Sequence, residues 1–599
     1  MRVATVILTF GLLSGCQYRA SVPPPAPNPG AVDPPGRVAR LSYLRGPVSF
    51  KAAGTDEWVA ATLNRPLTTG DYLWTDREAQ AELSLGSAVI RLDSQTGIGF
   101  LTLDDRSVQF KLSEGAARVN IRSIEGDETF EVDTSSAVVS LVRSGDYRVE
   151  SNAATGATRI IVRSGMADLT GPAQSAVARA NQMVLVGDKG ELAETKLAPP
   201  LDAFDQFCDT RERRIERAAS LEHVSRGVIG WEDLDEYGDW RPYPSYGPVW
   251  IPRQVGPGWA PYRFGHWVWI EPWGWTWVDD ARWGFAPFHY GRWIFLDARW
   301  CWVPGPPRVR VIHAPALVIF VGGGRPGLRY HVGVSVGIGI GWFPLGPREI
   351  YVPPYRTSRV YITSVNISHT VINNRVNIDR TDMTRQTYMN RRVSGAITTV
   401  PEDAFISGRT ISRVAAPMEG REAASARISG TAAPVAPTRR SVTGDPGEGS
   451  SRQQPPDSVT RRPVMVRQTP SPAQPSFEQR RADLERDPGR PLDSRRAEEL
   501  RQQRAPSPPE YRQIPEPPRQ ADRPQPSRTP PPRVGESRQE RRTDERVKED
   551  ASRRQRTIDQ EHQRQQSTPR TEQRRGAETR GSEQTPSKRG SDSRTRRNQ

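Results

Sequence analysis

The chain has 599 residues, with 84 Lys and Arg against 69 Asp and Glu and a net charge of +15. Its 55 prolines, 50 glycines and mean hydropathy of -0.65 mean that much of it cannot bury a core, so length alone does not count domains. The positive balance points to an anionic partner, and where that charge sits decides which one.

Met1-Arg2 supplies a short positive start, and Val3 to Leu13 is an apolar run of signal-peptide length, too short to span a bilayer. It ends in Leu13-Ser14-Gly15-Cys16, which has the form of a lipobox: small residues let a peptidase reach the backbone, and only a thiol takes the lipid thioether. Residues 1–16 are therefore expected to be a lipoprotein signal with Cys16 as the lipidated residue. Gln17 matches the pattern of outer-membrane lipoproteins, which places the protein in the cell envelope, anchored and facing the periplasm. Residues 17–37, with Pro23-Pro24-Pro25 and Pro34-Pro35, read as a tether. In an oxidising compartment Cys208 and Cys301 are a possible disulfide, and two buried thiols fit equally well.

From 38 to 195 short alternating runs recur at intervals of about ten residues, broken by Gly, Asp and Asn, as in Ala81-Glu82-Leu83-Ser84-Leu85 and Val89-Ile90-Arg91-Leu92. The pattern predicts an all-β sandwich, barrel or solenoid with one polar face. Gly70-Asp71-Tyr72-Leu73-Trp74-Thr75, Leu85-Gly86-Ser87, Leu112-Ser113-Glu114-Gly115-Ala116, Phe130-Glu131-Val132-Asp133-Thr134, Tyr147-Arg148-Val149 and Val162-Arg163-Ser164-Gly165 follow one another in order. In that order they resemble the FecR-type periplasmic domain, which implies a β scaffold presenting a binding surface. Members that signal to a sigma factor also carry a cytoplasmic segment and a membrane helix ahead of the domain, which this sequence does not supply. Ser144-Gly145-Asp146 also replaces the usual Gly-Thr, so the resemblance carries the fold and not the sigma-factor role.

Residues 199–230 read as a connecting helix and linker: Phe204, Phe207, Cys208, Ile215 and Ala218-Ala219 recur at helical spacing, with Arg211, Arg213 and Arg214 on the expected solvated face. Thirteen of the sixteen tryptophans then lie between Trp231 and Trp302 in three repeat copies. The copies run from Asp239-Trp240 to Trp250, from Gly258-Trp259 to Trp267, and from Gly284-Phe285 to Trp293. The last two are followed by Trp275-Thr276-Trp277-Val278 and Trp300-Cys301-Trp302-Val303. Alternate tryptophans on a strand share a face, so each pair is an aromatic platform.

Residues 231–400 resemble a Trp/Tyr-rich family of unknown function that often follows FecR-type domains. The likeness rests on Tyr237-Gly238-Asp239-Trp240, His289-Tyr290-Gly291-Arg292-Trp293, Gly341-Trp342-Phe343-Pro344-Leu345-Gly346-Pro347-Arg348-Glu349 and Val365-Asn366-Ile367-Ser368-His369-Thr370. Two readings of the tryptophans compete. Trp267, Trp269, Trp275, Trp277, Trp293, Trp300 and Trp302 form either a sugar-stacking face for peptidoglycan or another glycan, or the core of a domain poor in aliphatic residues. The Gly-rich run Val332 to Ile340 suits close strand packing and is too short for a membrane span.

From 410 to 599 Arg, Gln, Glu, Pro and Ser dominate, which predicts a disordered basic tail with helix-forming stretches at Phe477–Arg486 and Gln539–Gln566. Outside the cytoplasm its polyanions are lipopolysaccharide phosphates, peptidoglycan carboxylates or extracellular polymers, and no nucleic acid is expected. His266, His289, Cys301 and His313 match no closed metal pattern, so neither a metal nor a cofactor is expected. Glu271 with Asp279-Asp280 is the one carboxylate set suited to glycoside cleavage, and turn-forming is its simpler reading. The sequence thus predicts a mainly β, non-enzymatic envelope lipoprotein that binds or organises. A FecR-like sensor engaging an envelope protein is the alternative, and an envelope hydrolase comes third.

Overall fold

The computed structural model describes residues 33–322, 328–332, 335–370, 383–418, 420–444, 454–503 and 511–514. Cys16, most of the proline tether, Gln539–Gln566 and the terminal arginine clusters lie outside them. The mainly β expectation holds.

Residues 39–197 fold into seventeen strands that make two sheets sharing one long member, Ser107–Ile121. The first sheet runs Pro66–Leu67, Ala39–Arg45, Gln80–Ser84, Ala88–Leu92, Ser107–Ile121, Gly145–Ser151, Thr158–Ser164, Gln182–Val186, Leu192–Leu197. The second runs Trp58–Ala60, Val48–Lys51, Tyr72–Thr75, Thr96–Leu103, Ser107–Ile121, Thr129–Asp133, Val138–Leu141, Met166–Thr170, Ser175–Arg179. The shared strand crosses between them at Gly115. Its φ is +88°, and a Cβ there would lie 2.3 Å from Thr96 Oγ1, so only glycine fits the crossing. The apolar half of each alternating strand (Leu41, Leu83, Ile90, Val119 and Val149 in one sheet, Phe50, Ile98, Phe110 and Val132 in the other) is buried in a common core.

The polar face of the first sheet is not left to water. The helix Ala203–Glu216, started by Asp202 and Asp205 in a reciprocal capping box, lies over it. Glu82 is held between Arg91 at 2.8 Å and Arg211 at 2.6 Å, and Arg118 reaches Asp209 of the helix at 2.6 Å. Burial opposes ionisation of Glu82, but the two guanidiniums prevail and hold its carboxyl down to about 2. The expected solvated arginine face is corrected in part: Arg213 is exposed, but Arg211 binds Glu82 of the sheet beneath, and Arg214 binds Asp233 and Glu236 of the short helical segment that follows the linker.

The tryptophan repeats are β-hairpins. Gly238–Tyr243 pairs with Gly247–Pro252, Gly265–Ile270 with Gly274–Asp279, and Arg292–Leu296 with Arg299–Val303. In each, indoles stand opposite one another across the antiparallel register: Trp240 and Trp250, Trp267 and Trp277, Trp269 and Trp275, Trp293 and Trp302. The first and third hairpins join through Trp250 and Trp302 into a four-stranded sheet. A further sheet is built on Ser335–Pro344, flanked by Val318–Gly322 and Ile397–Pro401. There a Cβ on Gly341, just after the glycine-rich run, would lie 2.9 Å from Val321 Cγ2, so the strands approach closely at that residue.

The two bodies are joined at Arg40. Its guanidinium is buried and donates to Asn64 Oδ1 at 3.0 Å and to the Arg282 carbonyl at 2.7 Å, and it pairs with Asp233 at 2.6 Å. Asn64 Nδ2 in turn donates to the Asp279 and Ala281 carbonyls. The expected boundary at 410 is also corrected, because apolar and hydrogen-bonding residues scattered in the polar sequence are enough to dock it. Ile428–Gly430 adds a strand beside Val318–Gly322, Val459 packs on Trp58 and Trp74, and Val464 and Val466 cover Leu101. Arg480, on the helix Phe477–Arg486, donates to Glu271 at 2.9 Å.

Replacing Arg40 by Leu leaves Glu232 buried without its cation and Asp233 with Arg214 alone. Loss of about 3–5 kcal/mol in a urea titration is expected; an unchanged midpoint would show that Arg40 does not hold the seam.

Candidate functional site

The seven tryptophans expected to form a sugar-stacking face are core residues. Trp267, Trp269, Trp275, Trp277, Trp293, Trp300 and Trp302 are at most 6% exposed. Trp267 meets the Trp277 and Trp342 rings edge-on at 5.3 and 5.4 Å. Burying an indole also requires an acceptor for its N–H, and the chain supplies these from both near and far in sequence. Trp275 donates to the Val435 carbonyl at 3.0 Å, Trp302 to Tyr290 O at 2.8 Å, Trp269 to Glu271 at 3.0 Å and Trp277 to Asp279 at 3.0 Å. The repeat region is poor in aliphatic residues, and aromatic side chains fill most of its interior around Val268, Ile270, Val278 and Ile294.

Those last two contacts also dispose of the carboxylate set. Glu271 lies in the turn of the Gly265–Ile270/Gly274–Asp279 hairpin, and Asp279 at its open end. Five residues at about 3.4 Å each separate them by about 17 Å, well beyond the roughly 5–9.5 Å that glycoside cleavage needs. Asp279 is buried, which pushes its carboxyl well above the usual range, and it accepts from Trp277 and from the Ala281 N–H.

The metal candidates separate. Cys301 packs with Val249, Ile294 and Val303, whereas Cys208 packs with Ala116 and Phe204 under the helix. Both are free thiols, so the possible disulfide is not formed; burial pushes them up, Cys208 to about 12 and Cys301 to about 11. His266 lies 3.9 Å from Asp280. His289 and His313 do meet, with ring centroids 4.7 Å apart, and His369 of the helix Arg359–His369 joins them beside Tyr290. Trp273 and Phe285 close over the His313 ring. His289 Nδ1 bonds the Ala314 carbonyl and His369 Nε2 the Ile312 carbonyl, while both His313 nitrogens lack a partner. Among the described residues no group of His, Cys, Asp or Glu is arranged to hold a metal ion. His369 was visible in the sequence only as one residue of a family-like motif, because nothing in its spacing links it to His289.

What the structure leaves exposed lies elsewhere. Of eleven exposed large apolar side chains among the described residues, five (Val142, Val177, Leu192, Leu197 and Leu201) belong to the far end of the two-sheet body. The near edges of both sheets are covered: Trp58 by Val459, and Arg65 by a 2.6 Å bond to the Val442 carbonyl. The far edges, Ser175–Arg179 and Leu192–Leu197, pair on one side only among the described residues. In Ser175–Arg179 the Gly171 N–H bonds to the Gln174 carbonyl, which sets the bonded pairs at Leu169–Ala176 and Ala167–Ala178. The backbone groups of Ser175 and Val177 therefore turn outward. A Ser-Ala-Val-Ala-Arg strand carries neither proline nor lysine to guard that edge.

Residues 231–349 match the family of unknown function DUF6600. Two crystal structures of a candidate anti-sigma factor from Parabacteroides distasonis ATCC 8503, at 2.50 and 1.65 Å resolution, match 21% of this chain and 59% of theirs. Their identities are 20% and 19%, and the TM-score is 0.20 for each. The match thus spans under two thirds of those chains. No curated protein sequence matches.

Burial lowers the histidines: His289 to about 4, with Arg40 also acting against its charge, and His369 to about 3, with Arg292 acting likewise; His313 falls well below its ordinary value. Unfolded, each takes up its proton near pH 6.5, so their contribution to stability is complete above that pH and is lost as the pH falls toward the folded values. Buried carboxyls such as Asp71, raised to about 6, work in the opposite sense over the same window. The comparison is therefore with His313→Leu. Between pH 6 and 4.5 wild type should lose up to about 1.4 kcal/mol more per pH unit than this variant; parallel stability curves would contradict it.

Proposed function

We propose that this protein is a lipid-anchored cell-envelope protein that works by binding another protein, which adds a strand to the open edge Ser175–Arg179. The observation that carries this reading is the asymmetry of the two-sheet body. Its near edges are sealed by the tryptophan-rich body and the C-terminal chain, whereas its far edges pair on one side only among the described residues and carry the exposed Val177, Leu192 and Leu197. Outward N–H and C=O groups give such an edge affinity for any extended segment, and alternate side-chain contacts give it choice. The ordered FecR-like motifs support a sensing or scaffolding role for the same body, and Leu13-Ser14-Gly15-Cys16 supports the anchor. The aromatic-face reading loses its support with the burial of its seven tryptophans, and the hydrolase reading with the separation of Glu271 and Asp279.

The anchor is tested by feeding cells an alkyne fatty acid. Wild type should take the label and Cys16→Ser should not; an unlabelled wild type refutes the anchor.

The binding edge is tested by placing a photo-crosslinking amino acid at Ser175 of the full chain, with Val360, on the helix Arg359–His369, as the control position. Ser175 should yield a discrete protein adduct that Val360 does not. Val177→Pro, which removes an outward N–H and leaves the inner ladder intact, should reduce it at least tenfold. No adduct, the same adduct from Val360, or an adduct indifferent to Val177→Pro would refute the edge.

A further inference from the structure

A second surface of the molecule is built for a ligand of different chemistry. Between the first and third tryptophan hairpins and the loop that precedes the second lies a cleft of about 950 Å³. Its aromatic lining is Trp259, Phe264, Phe295 and Trp300. Phe264 and Phe295 are each 38% exposed, the two exposed phenylalanines among the described residues. Trp259 is half-buried, with one edge fixed against Trp283 at 5.9 Å and Trp293 at 5.5 Å. Phe295 stands edge-on to Trp300 at 5.4 Å, across the tip of its hairpin. The rings are thus held from behind by the indole core and open in front.

The charges in this cleft are one-sided. Its lining contains Arg253, Arg263 and Arg299 and a single carboxylate, Asp239. Asp239 already pairs with Arg253 at 3.1 Å, and Arg253 is further fixed by the carbonyls of Asp235, Glu236 and Gly238. Arg299 is exposed and makes no ion pair among the described residues. The cleft therefore favours an anion, and guanidinium groups suit carboxylates.

Two segments of left-handed backbone shape the walls. Tyr262 has a φ of +61° and is held there by its hydroxyl on the Phe288 carbonyl and by the Trp342 N–H on its own carbonyl. The reversal buries Arg263 and leaves Phe264 exposed. Asp297 and Ala298, at φ +48° and +59°, form the tight turn that presents Phe295 beside Trp300. Gly256 and Gly258 complete the rim: Gly258 is called for by its φ of +74°, and a Cβ on Gly256 meets nothing within 4 Å.

We propose that this cleft binds a carboxylated glycan, with pyranose faces on Phe264, Phe295 and Trp259 and a carboxylate on Arg299. Flat apolar rings beside the exposed Arg299 guanidinium match a sugar that carries both C–H faces and an acid. The site is independent of the protein-binding edge, and either can fail without the other.

Calorimetry of the full chain with tetragalacturonate, cellotetraose and a polyproline decapeptide tests it. Tetragalacturonate should bind at least tenfold more tightly than cellotetraose. Arg299→Gln should remove that preference, and Phe295→Ala should weaken binding at least tenfold. Gly256→Trp, which fills open space and should leave the melting temperature unchanged, should abolish binding. Sedimentation with peptidoglycan and with polygalacturonate gel then separates the two sources of the acid: retention on either that Gly256→Trp removes supports the site and names the polymer. Binding indifferent to Gly256→Trp, equal binding of the neutral sugar, or binding of the polyproline peptide alone would overturn the proposal.

Discussion

Burying a tryptophan is two demands at once: a large apolar ring must be enclosed, and one N–H must find an acceptor inside the enclosure. Eight of the twelve largest fully buried side chains among the described residues are tryptophans, and their acceptors set the path of much of the chain. Trp250 reaches the Leu234 carbonyl, Trp342 that of Tyr262 and Trp275 that of Val435. The last of these bonds draws the polar C-terminal sequence across the hairpins. Trp267 and Trp293 keep their N–H groups without a partner, and edge-on aromatic packing surrounds them instead.

The same core fixes the two-sheet body. Arg40 and Asn64 project from its near side into backbone carbonyls that exist only because the hairpins and the turn after Asp279 are in place. Arg65 is held by a carbonyl of the C-terminal chain. One end of the body is consequently welded and the other is free. A scaffold held at one end presents the opposite edge rigidly, which is what an added strand needs if it is to be recognised without first ordering its host.

Charge is handled differently on the two bodies. On the β scaffold, carboxylates and guanidiniums are matched in layers between sheet and helix, as at Glu82, Arg91, Arg118 and Asp205. In the tryptophan-rich body the buried titratable groups are mostly neutralised: Asp279 and Glu349 are pushed up, and His289, His313 and His369 are pushed down, all by burial. The first arrangement keeps its charges across the ordinary pH range. The second gives them up: acid disturbs it through the histidines and alkali through the carboxyls.

Local pattern determined much of this protein. Two-residue alternation marked the strands of the scaffold, the repeat marked the three hairpins, and the helical spacing of Phe204, Phe207, Cys208 and Ile215 marked the helix, because each is a periodicity that neighbouring residues suffice to express. Which face of a strand is wet is not such a property. Trp269 and Trp275 share a face, as their spacing requires, yet whether that face meets solvent depended on Phe405 and Val435, more than a hundred residues away. The meeting of His289, His313 and His369, the parting of Cys208 from Cys301, and the docking of the described residues beyond 410 were likewise settled by long-range packing. The sequence alone gives a residue's chemistry and its local direction; only the tertiary structure supplies what stands opposite it, and burial, pairing and charge state all follow from that.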